Sequence, residues 1–230
     1  MVNKVDKNIK SIITKDWKSH FSVLNIINPL NLFRVHDCFL YGIQLDILRG
    51  NTEYRIYVKL ISLLGVTARI DFNKYVMSQV VTSKKNFPFE IPIAHHKEWY
   101  KDALIATELQ APFDLFDSIS KERIINLLEI NIASLDSQSI IDLPYRECEF
   151  LIQFAGLFLD KKRKTQIFEK YLNELERFPE ERMNYFVGNK RQWLNNLIYE
   201  YNNPAILKNN IKENILLSKL SNISQTKLID

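Results

Sequence analysis

The sequence predicts an α+β fold: an N-terminal helix and a small antiparallel sheet, with its hairpin over residues 39–60, followed by an irregular helical bundle. Three observations predict it. Apolar residues first recur at three- and four-residue steps, then at every second position, and past Ser118 at helical steps again. Five glycines and seven prolines in 230 residues are too few for a chain built from many tight turns. At this length, with 46% hydrophobic and 25% charged residues, a chain buries a full core, as one domain or two packed lobes.

Over Val5–Ile26, the residues Ile9, Ile12, Ile13, Trp17, Phe21 and Leu24 share a helical face, with Lys7, Lys10, Lys15 and Lys18 outside it. Asn28-Pro29 stops that helix, because the residue before proline avoids the α region. The period then drops to two. Phe39, Tyr41, Ile43, Leu45 and Ile47 alternate along one run, and Tyr54, Ile56, Val58 and Leu60 along the next. Arg49-Gly50-Asn51-Thr52-Glu53 supplies the turn, so the two runs pair as an antiparallel hairpin. Gly42 marks a bulge or a close contact inside the first run. A third strand is expected over Val66–Phe72, and Tyr75–Val81 reads as strand or short helix. Phe87-Pro88-Phe89-Glu90-Ile91-Pro92 must be extended, a helix follows over His95–Leu109, and a loop around Pro112 comes next.

Past this point the chain reads as helices. Ser118 or Ser120 caps the first, Asp142-Leu143-Pro144 opens the second, and Asp160-Lys161-Lys162-Arg163-Lys164 reads as a loop before the third. Phe178-Pro179-Glu180-Glu181 starts another with its acids at the positive end of the helix dipole, interrupted at Gly188-Asn189. A last helix follows Pro204, and the polar tail from Ser221 is expected to fray. The boundary falls near Ser118, giving an α+β region over 1–118 and a helical region over 119–230, possible lobes of one domain. No fixed-period repeat and no Gly/Ser-rich linker divides them.

Composition narrows the function classes. No run of about 18 apolar residues suggests a membrane span, and the polar start does not resemble a secretory leader. Cys38 and Cys148 stand apart with no CxxC, as free thiols of a reducing, cytoplasmic compartment do; a single long-range disulfide is the alternative. The net charge of +4 is spread thinly, unlike the concentrated charge of a dedicated DNA-binding element.

Four constellations invite chemistry, and each has a plainer reading. His95-His96-x-Glu98 offers metal-ligand types, but adjacent histidines point about 100° apart on a helix and lack the HExxH order. His36-Asp37-Cys38 puts a thiol and an imidazole on one strand face without the orienting group a nucleophile needs. Asp46 and Lys59 on a hairpin are similar to the acids and lysine of restriction-type nucleases, yet Tyr57 stands where the second acid belongs. Lys161, Lys162, Arg163 and Lys164 form the one dense basic run and are the candidate phosphate contacts; Asp160, Glu169, Glu174 and Glu176 dilute them. No phosphate loop, GxSxG or dinucleotide fingerprint is present.

The sequence therefore assigns no catalytic, cofactor-binding or metal residues. Phe113, Leu115 and Phe116, in the loop after Pro112, either plug the seam between sheet and helices or form a partner-binding surface. The leading expectation is a non-enzymatic protein-binding or accessory protein, such as a bacterial immunity or antitoxin-type inhibitor. A nucleic-acid-associated protein using 161–164 is the alternative. The third class is an enzyme whose site gathers scattered residues such as His36, Asp71, His95 and Glu98. Whether His20, His36, His95 and His96 converge is a question for the structure.

Overall fold

The computed structural model describes residues 5–48, 50–65, 68–135 and 143–230. Its backbone order is a helix (α1, Lys7–His20), four strands (β1, Asn25–Asn28; β2, Asn31–His36; β3, Phe39–Ile47; β4, Glu53–Ser62), two short strands (β5, Met77–Val80; β6, Glu90–Pro92) and a helix (α2, His96–Gln110). Six helices follow: α3 (Lys121–Ser134), α4 (Tyr145–Phe158), α5 (Lys161–Arg177), α6 (Glu180–Val187), α7 (Lys190–Asn202) and α8 (Pro204–Leu217). A two-residue strand, β7 (Gln225–Thr226), comes last. The fold is α+β, with an N-terminal helix followed by an antiparallel hairpin of β3 and β4.

Two units emerge. The first takes residues up to Ile61, Met77–Ile119 and Leu220–Ile229; the second takes Ser62–Val76, Ser120–Lys219 and Asp230. In the first, the sheet runs β1-β2-β3-β4-β5, with β6 also on β4 and β7 parallel to β2. Phe33 lies opposite Gly42, and a Cβ on Gly42 would stand 2.2 Å from the Leu32 carbonyl oxygen. That glycine marks a close approach of two backbones, which no side chain would permit.

Burial along β3 corrects the simple alternation. Leu40 is as fully buried as Phe39, Tyr41 and Ile43, so both faces of this strand are covered. Asp6 caps α1 by accepting from the Asn8 amide at 2.9 Å, and the helix closes at His20 rather than running to Ile26. Residues 25–28 pair with β2 instead, around a turn in which Leu30 takes φ 75°. Leu24 and Ile26 fit either period, and backbone pairing with β2 decides between them.

The strand expected over Val66–Phe72 does not form in its described part, 68–72; residues 66 and 67 lie outside the description. Within the second unit the Ala68 amide donates to Asn214 Oδ1 at 2.8 Å and the Ile70 amide to Ser218 Oγ at 2.9 Å. Side chains of α8 and its C-cap therefore satisfy backbone donors that a sheet would otherwise use.

The basic run is also corrected. Lys161–Lys164 is the first turn of α5, not a loop, because Asp160 caps it by accepting from the Lys162 and Arg163 amides at 2.9 and 3.1 Å. Ser120 caps α3, Glu180 and Glu181 occupy the first turn of α6, Gly188 at φ 80° separates α6 from α7, and Pro204 opens α8. Asp142, expected to open α4, lies outside the described residues. The tail does not fray. Thr226 pairs with His36, its carbonyl accepts from the Asp37 amide at 3.1 Å, and Leu228 donates its amide to Asp37 Oδ2 at 2.7 Å.

Candidate functional site

The four histidines have separate surroundings. His20 meets Glu108 at 2.8 Å and His95 meets Glu98 at 3.3 Å, both near the surface. His96 is buried between Tyr54 and Asp16. His36 is 2% exposed and lies against the Phe39 ring, with its centroid 5.4 Å away. Burial lowers the His36 pKa to about 4 and raises the Cys38 thiol well above its ordinary value. At neutral pH both are uncharged, so this pair holds no thiolate. Asp46 is exposed while Lys59 is buried, its ammonium 5.4 Å from the Tyr57 ring. Among the described residues no three His, Cys, Asp or Glu side chains gather as a metal would require.

The loop singled out from sequence divides. Phe113 and Leu115 are 2% and 4% exposed, and Phe116 is 38% exposed. The Phe113 amide donates to Tyr41 Oη at 3.1 Å, and that hydroxyl donates to the Phe113 carbonyl at 3.0 Å. Phe116 is the part-exposed aromatic of this loop, and its ring stacks on Phe21 with centroids 5.7 Å apart. Of the four basic residues, Arg163 pairs with Glu122 at 3.1 Å, and Lys164 lies 4.3 Å over the Tyr201 ring. Lys161 and Lys162 are exposed, but the Asp160 carboxylate occupies the adjacent helix N-terminus, where an anion would otherwise sit.

The surface that sequence reasoning passed over is the outer face of α2. Its inner face is made of His96, Ala103, Leu104 and Thr107, all buried. At about 100° per residue, Glu98, Asp102, Ile105 and Leu109 fall opposite, within roughly 60° of one another, with Trp99 at their edge. Trp99 is 48% exposed, Ile105 56% and Leu109 81%. Near the N-terminal end of this face, Phe89, Glu98, Trp99 and Asp102 line an open cleft of about 330 Å³. The exposed Phe87 lies two residues before Phe89. A second exposed aromatic group, on α6, differs: the Tyr185 ring packs edge-on to Phe186, which in turn stacks on Tyr145.

The signal for the α2 face was present in the sequence. Ile105 and Leu109 stand four apart, on the side away from Ala103, Leu104 and Thr107, so α2 is apolar on two sides while one side suffices to pack it. Among the described residues no helix is long and apolar enough to cross a membrane. Set against family models, curated proteins and solved structures, the chain matches none of them.

Proposed function

We propose that this chain is a non-enzymatic, cytoplasmic accessory protein that binds a protein partner through the outer face of α2, in the manner of a bacterial immunity or antitoxin-type inhibitor. The observation that carries the reading is the juxtaposition of exposed Trp99, Ile105 and Leu109 with Glu98 and Asp102 on one helix face. An amphipathic helix that turns apolar residues outward beside acids has the mixed character of a protein interface, where a few aromatic and aliphatic anchors dominate the energy. The cytoplasmic part of the proposal is supported by Cys38 and Cys148, both free and buried, as in a reducing compartment. The inhibitor part rests on class alone, since such proteins act by shape and need no reactive group.

The test compares wild-type chain with the Ile105→Asp, Leu109→Asp double variant as bait in the native cell. The reading expects a stoichiometric protein captured by wild type and lost from the variant, with the melting temperature unchanged because both side chains are exposed. Equal capture by both baits, or no stoichiometric protein on either, contradicts it.

A further inference from the structure

The cleft at the N-terminal end of α2 has a chemistry of its own. Glu98 and Asp102, four residues apart, project to one side of the helix, and Trp99 and Phe89 line the cleft beside them. Asp102 is exposed and has no ion-pair partner among the described residues. Among the described residues Glu98 meets only the exposed His95, at 3.3 Å. The neighbouring Lys97 does not neutralise the cleft, because its ammonium is held by Asp16 at 2.6 Å.

We infer that this cleft receives a lysine or arginine side chain presented by the protein partner. An aromatic face attracts a cation through its quadrupole, and indole does so best. The two carboxylates supply the complementary charge, and the rings cover the hydrocarbon stem. The volume of about 330 Å³ would hold about eleven waters at their share of the liquid, which is room for one long side chain with water around it. A hard divalent ion is a poorer match, since calcium takes six to eight oxygens and two carboxylates offer four. A phosphate is repelled by the same carboxylates. The inference rests on the α2 face being a binding surface, and it names the residue type that the face selects.

The test is an NMR titration of the Trp99 indole N–H, assigned with Trp99→Phe, using N-acetyl-arginine methylamide as the probe and the neutral citrulline analogue as control. The inference expects a saturable shift with arginine and none with citrulline. Asp102→Asn should weaken binding about three-fold, as an exposed ion pair is lost. Phe89→Leu should weaken it by about the same factor, as one aromatic wall is lost. Equal response to citrulline, or an unchanged response in Asp102→Asn, overturns the assignment. The two readings fail separately. If the arginine response is absent while Ile105→Asp, Leu109→Asp loses the partner, the cleft assignment falls and the α2 reading stands. If the response is present while capture is unaffected, the α2 reading falls, and with it the claim that a partner presents the cation.

Discussion

The Tyr54 hydroxyl and the His96 imidazole meet at 2.8 Å inside the first unit, and the Asp16 carboxylate on the other ring nitrogen, which can only accept, settles which nitrogen carries the proton. Trp17 donates its indole N–H to Tyr54 Oη at 3.1 Å, so the single hydroxyl proton of Tyr54 is free to point at His96 Nδ1. The neutral imidazole then carries its proton on Nε2 and donates it to Asp16 Oδ2 at 2.9 Å. Asp16 also accepts from Lys97 at 2.6 Å. Three elements of the chain, α1, β4 and α2, are thereby joined by one line of hydrogen bonds. Tyr54 is wholly buried and His96 is 5% exposed, so the arrangement organises the unit rather than meeting a substrate.

Replacing Tyr54 with phenylalanine removes the hydroxyl and leaves the Trp17 N–H and His96 Nδ1 buried without their partner. The expected cost is about 2 kcal/mol, the penalty for orphaned buried polar groups. Urea denaturation measures it. A change below about 0.5 kcal/mol would show that the line contributes only local order.

Stability should depend on pH in opposite directions in the two units. Burial lowers His36 from 6.5 to about 4, and burial also lowers His96 despite the opposing pull of Asp16. Between pH 6.5 and 4 the unfolded His36 binds a proton that the folded one refuses, so stability falls as pH falls, by up to about 3 kcal/mol for His36. Glu149 behaves inversely. Burial, with a contribution from Glu200 and against the hydrogen bond from Trp193, raises it from 4.5 to about 7. From pH 4.5 to 7 the folded state holds the extra proton, so this contribution declines as pH rises. His36→Phe should flatten the acid-side loss, and Glu149→Gln should flatten the decline toward neutrality. Chemical denaturation from pH 4 to 8 checks both, and an unchanged profile in either variant would contradict its assignment.

The loop at Phe113 divides into a buried and an exposed part. Phe113→Ala should cost about 3–4 kcal/mol, because the ring is buried 5.3 Å from Tyr41 by centroid. Phe116→Ala should cost about 1 kcal/mol or less, since over a third of that residue is exposed. Equal losses in the two variants would contradict the division.

The C-terminal segment is held to β2 by Asp37. Leu228→Ala should cost about 2 kcal/mol, and Asp37→Ala about 1 kcal/mol, through loss of the bond to the Leu228 amide. Hydrogen exchange at the Leu228 amide should accelerate in Asp37→Ala. Unchanged exchange would mean that the strand pairing of Thr226 alone holds the tail.

Much of this fold was legible in the sequence because period and punctuation agree there. The β3–β4 turn at Gly50-Asn51 joins two alternating runs, and Ser120, Pro179, Gly188 and Pro204 mark helix ends that the structure keeps. Legibility failed where the deciding partner lies far along the chain. Ala68 and Ile70 look like strand residues until Asn214 and Ser218 take their amides. The tail looks polar and loose until Val35 and His36 pair with it, nearly 200 residues away in sequence. Asp160 looks like one more loop residue until its carboxylate caps α5. The α2 face was hidden differently. The sequence shows apolar residues on two sides of this helix, and burial decides that Ala103 and Leu104 face inward while Ile105 and Leu109 are left to solvent.

The central claim is that the outer face of α2 is where a protein partner sits. The most direct measurement places a photoreactive benzoyl-phenylalanine at position 109 and, as a control, at position 199, where Tyr199 is 61% exposed on α7. Irradiation in the native cell should yield one discrete protein adduct from position 109 and none from position 199. No adduct from position 109, or the same adduct from both positions, would contradict the account.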